Sequence, residues 1–154
     1  MDAVTHPHPE IVRMVDEYFV PVRLESVKHN DVARKMGVRW LPGIVVADAD
    51  ERPAHVSVGF LPAEDLLSEL TFGRAICAMG AKQYEEADRL FESVSVNPLA
   101  ERAPEACFWW GISRFRRTKD LSSAREPWSR IVATWPHSQW ARKVGYALDR
   151  KANP

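Results

Sequence analysis

The sequence predicts an α/β arrangement that passes into an all-α one, an αβαββ order followed by about five helices. Three observations lead there. Strand-like runs are confined to residues 19–60. From residue 62 onward only helical periodicity is legible. Within that second half, one pattern of side chains returns after 37 residues.

Thr5-His6-Pro7-His8-Pro9 excludes a regular helix, because each proline lacks an N–H and restricts the residue before it. Residues 9–18 then place Ile11, Val12, Met14, Val15 and Tyr18 on one stripe, with Glu10, Arg13, Asp16 and Glu17 opposite. Phe19 to Leu24 is β-rich and is expected to form a buried strand. Asn30 is expected to cap a helix over 30–36, ended by Gly37 in a left-handed conformation. Ile44 to Ala47 reads as a strand and Asp48-Ala49-Asp50-Glu51 as a polar turn. His55 to Phe60 is expected to pair back antiparallel. Pro62 is placed to open a helix with Glu64 and Asp65 in its first turn. Later breaks are expected at Gly80, Asn97-Pro98, Thr118–Leu121 and Pro136.

In the helical half, Tyr84, Ala87, Phe91 and Val94 correspond to Leu121, Ala124, Trp128 and Ile131, and each segment ends at a proline, Pro98 and Pro136. A small residue, an aromatic four later and an aliphatic three later share a helix face, so a neighbouring helix approaches at the small residue and the aromatic fills the space beside it. This resembles the tetratricopeptide repeat, whose period is about 34. In the second copy Phe108, Gly111 and Phe115 fall at the large, small and aromatic positions of the preceding helix, whereas Ala75 and Ala78 fit the first copy only roughly. Pro127 requires the last helix of the second copy to start late or to kink. Residues 138–150, with Trp140, Val144 and Leu148 on one face, are expected to cap the stack. Trp109 and Trp110 are neighbours about 100° apart on a helix, so both cannot face inward, and the pair holds a candidate partner-binding residue or covers a seam.

The first half carries a second resemblance. Phe19 to Leu24, Asn30 to Val38, Arg39-Trp40-Leu41-Pro42, Val58-Gly59-Phe60 and Pro62 to Leu67 follow one another as do the later elements of a thioredoxin-like domain. The resemblance covers roughly residues 3–72. It implies a cis peptide at Pro42 and a peptide-docking element at Trp40, Leu41 and Pro42, where the backbone before the proline pairs with an extended chain. Gly43 stands where the family has threonine. The Cys-x-x-Cys of the family has no counterpart in this chain, nor has the central strand before it, which would lie between residues 19–24 and 44–47. Either the remaining sheet has repacked, or the start lies upstream and Met1 is an internal methionine. The second is preferred, because losing a central strand leaves many backbone groups to satisfy.

The expected organisation is therefore a partial, truncated thioredoxin-like sheet over 1–72 (αβαββα) and a degenerate tetratricopeptide-like helical region over 73–154. Composition adds exclusions. Lys plus Arg and Asp plus Glu both number 21, so bulk charge points to no nucleic acid, and no apolar run is long enough to span a bilayer. With no signal-peptide pattern at residues 1–10, a cytoplasmic location is expected. Cys77 and Cys107 form neither a zinc nor a disulfide pattern and read as buried thiols. His6 and His8 are too few for a metal site, and Asp48, Asp50 and Glu51 lack the rest of a calcium loop. Arg114, Arg116, Arg117 and Lys119 read as a solvated helix end. No catalytic residue, metal or cofactor is expected. The expected function is a redox-inactive module that binds a protein or peptide, with a homodimer through an exposed sheet edge as a further expectation. The alternative is a thiol–disulfide oxidoreductase whose catalytic segment precedes Met1.

Overall fold

The computed structural model describes residues 5–98 and 100–149. Met1, on which the expectation about the chain start rests, and residue 150, the last of the expected capping segment, lie outside them. The chain is mixed α/β and mostly helical, with seven α-helices, one short 3₁₀ turn and two strands among the described residues. It divides into two compact units, Met1–Gly73 and Arg74–Pro154.

In the first unit, α1 (Pro9–Tyr18) opens with Pro9 in its first turn, where a missing N–H costs nothing, and the His8 ring accepts from the Glu10 amide. Helix α2 (Asn30–Lys35) starts one residue earlier than a cap at Asn30 implies, with His29 at the cap and Asn30 as its first residue. Gly37 ends the turn after it at φ +80°, a conformation that favours glycine. The Leu41–Pro42 peptide bond is cis.

Strands β1 (Gly43–Ala47) and β2 (Pro53–Val58) form an antiparallel hairpin with Gly43 opposite Val58, Ile44 opposite Ser57 and Val46 opposite His55. Asp48 closes its turn. The carboxylate accepts from the Asp50 amide at 2.9 Å and the Arg52 amide at 3.0 Å, and pairs with the Arg52 guanidinium at 2.8 Å. Those bonds, first the Arg52 amide, hold the Asp48 carboxyl below its ordinary value.

The expected strand at Phe19–Leu24 is not formed. The segment has no partner in the sheet, which among the described residues contains β1 and β2 alone. Its apolar side chains face water, Val20 being 91 % and Val22 74 % exposed. Valine-rich sequence favours extended backbone, but a strand exists only where another strand supplies the ladder. The second expected strand also ends early, at Val58, leaving Phe60 outside the ladder.

Alternation gives the hairpin two faces. Val46, His55 and Ser57 point to one, and α3 (Ala63–Gly80) covers them: a Cβ added at Gly73 would lie 2.7 Å from the Val46 Cβ. The opposite face carries Val56, whose methyl would lie 3.9 Å from a Cβ added at Gly37.

The second unit is a run of helices, each packed on the next: α4 (Tyr84–Ser95), α5 (Ala103–Thr118), α6 (Arg125–Thr134) and α7 (Gln139–Asp149). Both small–aromatic–aliphatic sets are buried. Ala87, Phe91 and Val94 line one, and Ala124, Trp128 and Ile131 the other. The first member of the second set does not follow the pattern, since Leu121 is 45 % exposed. Residues Leu121–Ala124 form the 3₁₀ turn, opened by Asp120, which accepts from the Ser122 amide at 2.9 Å. Helix α6 starts after that turn, so Pro127 falls in its first turn and forfeits no backbone bond.

Two tertiary bonds tie the ends of α4 and α6. Arg130 donates to the Ser95 carbonyl at 3.0 Å, and the Trp135 indole N–H donates to the Pro98 carbonyl at 2.8 Å. The Trp128 indole donates to the Phe108 carbonyl at 3.2 Å, and the Trp128 and Phe108 rings stack. A Cβ at Gly111 would lie 2.6 Å from Trp128 Cδ1. Alanine gains about 1 kcal/mol of helix propensity over glycine, but forcing atoms into a packed interior costs about 1–3 kcal/mol. Gly111→Ala is therefore expected to lower stability in urea denaturation, and Gly111→Val to lower it further.

Candidate functional site

Exposed apolar side chains gather at the end of the hairpin away from its turn. Strand pairing sets Gly43 beside Val58, and the Gly59 amide donates to the Pro42 carbonyl at 2.7 Å. The segment before β1 is thereby brought to the segment after β2. Trp40 is 77 % exposed, Leu41 63 %, Phe60 61 % and Val58 48 %. Residues 38–42 are fixed from two sides. The Val38 amide donates to the Ala33 carbonyl of α2 at 2.9 Å, and the Val38 side chain crowds the position where a Cβ would stand at Gly43. A larger residue at 43 would displace that contact. Close approach thus gives the glycine at this position a physical reason.

Of the residues that the sequence singled out, Trp40, Leu41 and Pro42 all lie in this exposed loop. Val58 and Phe60 join them through the strand register and were not singled out as site residues. Their signal was the expectation that residues 55–60 pair with 44–47, which carries the end of one strand to the start of the other. The tryptophan pair behaves differently. Trp110 is 2 % exposed and so is not available to a partner, and Trp109 is half-buried, edge-on to Phe108 and within 3.4 Å of the Glu105 carboxylate. The expectation that Trp110 belongs to a partner-binding surface is therefore corrected, because the inward direction of α5 falls on it.

A buried polar cluster was missed altogether. His55 and Ser57, two apart on β2, share the face covered by α3 and meet Glu69. The Ser57 hydroxyl donates to Glu69 Oε2 at 2.6 Å and lies 3.2 Å from His55 Nε2, and His55 Nε2 bonds the same carboxylate oxygen. The edge of the Phe72 ring packs on the imidazole at 5.1 Å. The residue types are those of a hydrolytic triad, but the geometry is not. In a relay the hydroxyl and the carboxylate engage opposite ring nitrogens; here both converge on Nε2 and form a closed triangle. The cluster satisfies buried polar groups and pins β2 to α3.

The remaining titratable groups have structural settings. Burial pushes the Cys107 thiol up, with Ser95 and Arg130 offsetting part of the effect, so it is a poor nucleophile. Arg74, one turn from Cys77, is engaged with Glu86 at 3.7 Å. Asp88 of α4 is raised chiefly by burial, opposed by Ser113, Arg117 and Arg114 of α5, and it pairs with Arg117 at 3.1 Å. Arg114 also pairs with Glu126 and lies over the Trp110 ring. Among the described residues no group of three His, Cys, Asp or Glu side chains is placed to hold a metal ion, and no helix is long and apolar enough to cross a membrane.

Comparison with protein-family models, with curated proteins and with solved structures finds no match for this chain.

Two outcomes follow from the buried groups. Removing one partner of a buried hydrogen-bonded cluster leaves the others unsatisfied, at about 1–3 kcal/mol. Glu69→Ala is thus expected to cost stability of that order in urea melts, and Glu69→Gln, which keeps an acceptor, markedly less. Asp88 holds its proton more tightly in the folded chain than in the unfolded one. Its charge-burial cost is absent below the ordinary value of 3.8 and sets in as pH rises through the raised folded value. Thermal melts across mildly acidic pH should show a flatter profile for Asp88→Asn than for the native chain.

Proposed function

We propose that this chain is a protein- or peptide-binding adaptor module, a thioredoxin-like unit without a redox dithiol followed by a tetratricopeptide-like tail. The carrying observation is the group formed by Trp40, Leu41, Val58 and Phe60, four large apolar side chains left in water at one end of a hairpin. Single exposed apolar residues need no explanation, but a contiguous set is characteristic of a surface that another molecule covers. Tryptophan is also among the side chains that most often anchor such contacts. The first unit's order of helix, hairpin and covering helix supports the thioredoxin-like reading. The paired small–aromatic–aliphatic sets, buried on successive helices, support the repeat reading. Cys77 and Cys107 are not joined in a disulfide, which accords with a reducing, cytoplasmic setting.

A second reading, a thiol–disulfide oxidoreductase whose Cys-x-x-Cys segment lies upstream, is favoured by one observation. The apolar run Phe19–Leu24 lies outside the two-stranded sheet, and β1 carries a ladder partner on one side alone among the described residues. Both features suit a further strand, which could equally come from a second copy. In-frame upstream coding sequence for a strand and Cys-x-x-Cys would support the oxidoreductase, and a stop codon directly before Met1 would remove it. Light scattering of the purified chain separates the dimer.

For the binding reading, the full chain should retain a partner from a peptide array, and Trp40→Ala and Phe60→Ser should each weaken it by about tenfold or more, the scale of an anchor residue. Unchanged retention by both variants, with native circular dichroism, would sink the proposal.

A further inference from the structure

The charge around the apolar group says what its partner carries. From Val32 to Ala47 the chain has three cations, Arg34, Lys35 and Arg39, and no carboxylate, although the molecule as a whole is neutral. All three are exposed, and none joins an ion pair among the described residues. Other surface charges are internally matched: Lys28 with Glu25, Arg52 with Asp48 and Asp50, Arg89 with Glu86. The three stand beside the apolar group by connectivity as well as sequence. Arg39 immediately precedes Trp40, and Arg34 and Lys35 stand in the last turn of α2, which the bond from the Val38 amide to the Ala33 carbonyl closes just before this loop.

Carboxylates enter from the opposite side. Glu64 and Asp65 lie in the first turn of α3, beyond Phe60, where the positive end of the helix already offsets them. On the α2 side, Asp31 lies in the first turn of the helix, and Arg34 and Lys35 lie in its last turn. The surface is thus apolar at its centre, cationic on the Trp40 flank and compensated on the α3 flank.

We infer that the partner is an acidic, apolar peptide segment, its apolar side chains on Trp40, Leu41 and Phe60 and its carboxylates toward Arg34, Lys35 and Arg39. Complementary rim charge guides encounter and rejects partners of the wrong sign, while buried apolar anchors hold the complex. A nucleic acid is the lesser fit, because three cations on a neutral chain neutralise few phosphates.

This inference rests on the peptide-binding reading above, and the experiment separates the two. Short synthetic peptides that alternate leucine with glutamate, with lysine or with glutamine are titrated against the full chain, followed by fluorescence anisotropy at low and high salt. The glutamate peptide should bind tightest, and its Kd should rise by about tenfold or more in the Lys35→Glu/Arg39→Glu double variant, which should in turn gain the lysine peptide. Added salt should weaken the native complex, as expected for exposed charges. Both altered side chains are exposed, so circular dichroism should be native. If all three peptides bind alike and Trp40→Ala weakens each, the binding reading stands and the acidic preference is overturned. If none binds, both fail. Preferential binding of a single-stranded oligothymidine in the same assay would also overturn the inference.

Discussion

A hairpin of two strands does not hold together in water without cover. The first unit depends on that constraint being met, and it is met by direct contact between a helix and a strand. Gly73 lets α3 lie against Val46 with no side chain between them. One turn earlier, Glu69 reaches His55 and Ser57 on the neighbouring strand. The apolar contact supplies the driving force, and the polar cluster supplies the register. A shift of β2 by one residue would turn His55 and Ser57 outward and leave Glu69 buried without its partners. The same register sets Gly43 beside Val58, and with it the exposed group at the far end.

The helical unit meets the same demand differently. Its helices pack in sequence order, and the decisive contact is again a glycine under a large ring, Gly111 under Trp128. The indole is held on its other edge by a bond to the Phe108 carbonyl. Arg130 and Trp135 then satisfy carbonyls at and after the end of α4, where a helix leaves acceptors without internal partners. Close packing fixes separation, and the bonds fix rotation. Asp88 and Arg117 do the latter for α4 and α5 at the cost of burying a carboxylate.

Much of the architecture was legible because it rests on local physics. The proline at the start of α1, the glycine after α2, the polar turn at Asp48 and the helical breaks each act within a few residues. The proline in α6 was legible as a problem, and its resolution, a late start behind a 3₁₀ turn, was one of the two outcomes that its chemistry allowed. The loop at Trp40 to Pro42 was singled out through resemblance, and it is exposed. Val58 and Phe60 were not recognised with it, because their place there depends on register. The triangle of His55, Ser57 and Glu69 was invisible, since a helix residue fourteen positions from a strand residue has no local signature.

The sequence by itself determined where the helical half breaks, where the hairpin turns and which side chains recur after 37 residues. Backbone restriction, capping and periodicity are properties of neighbours along the chain. Tertiary structure alone decided three things. It denied strand status to Phe19–Leu24, because a ladder needs a second strand. It chose Trp110 over Trp109 for the interior, because only the packed neighbours of α5 define inward. And it assembled the exposed end of the hairpin, because residues distant along the chain become adjacent only when strands pair.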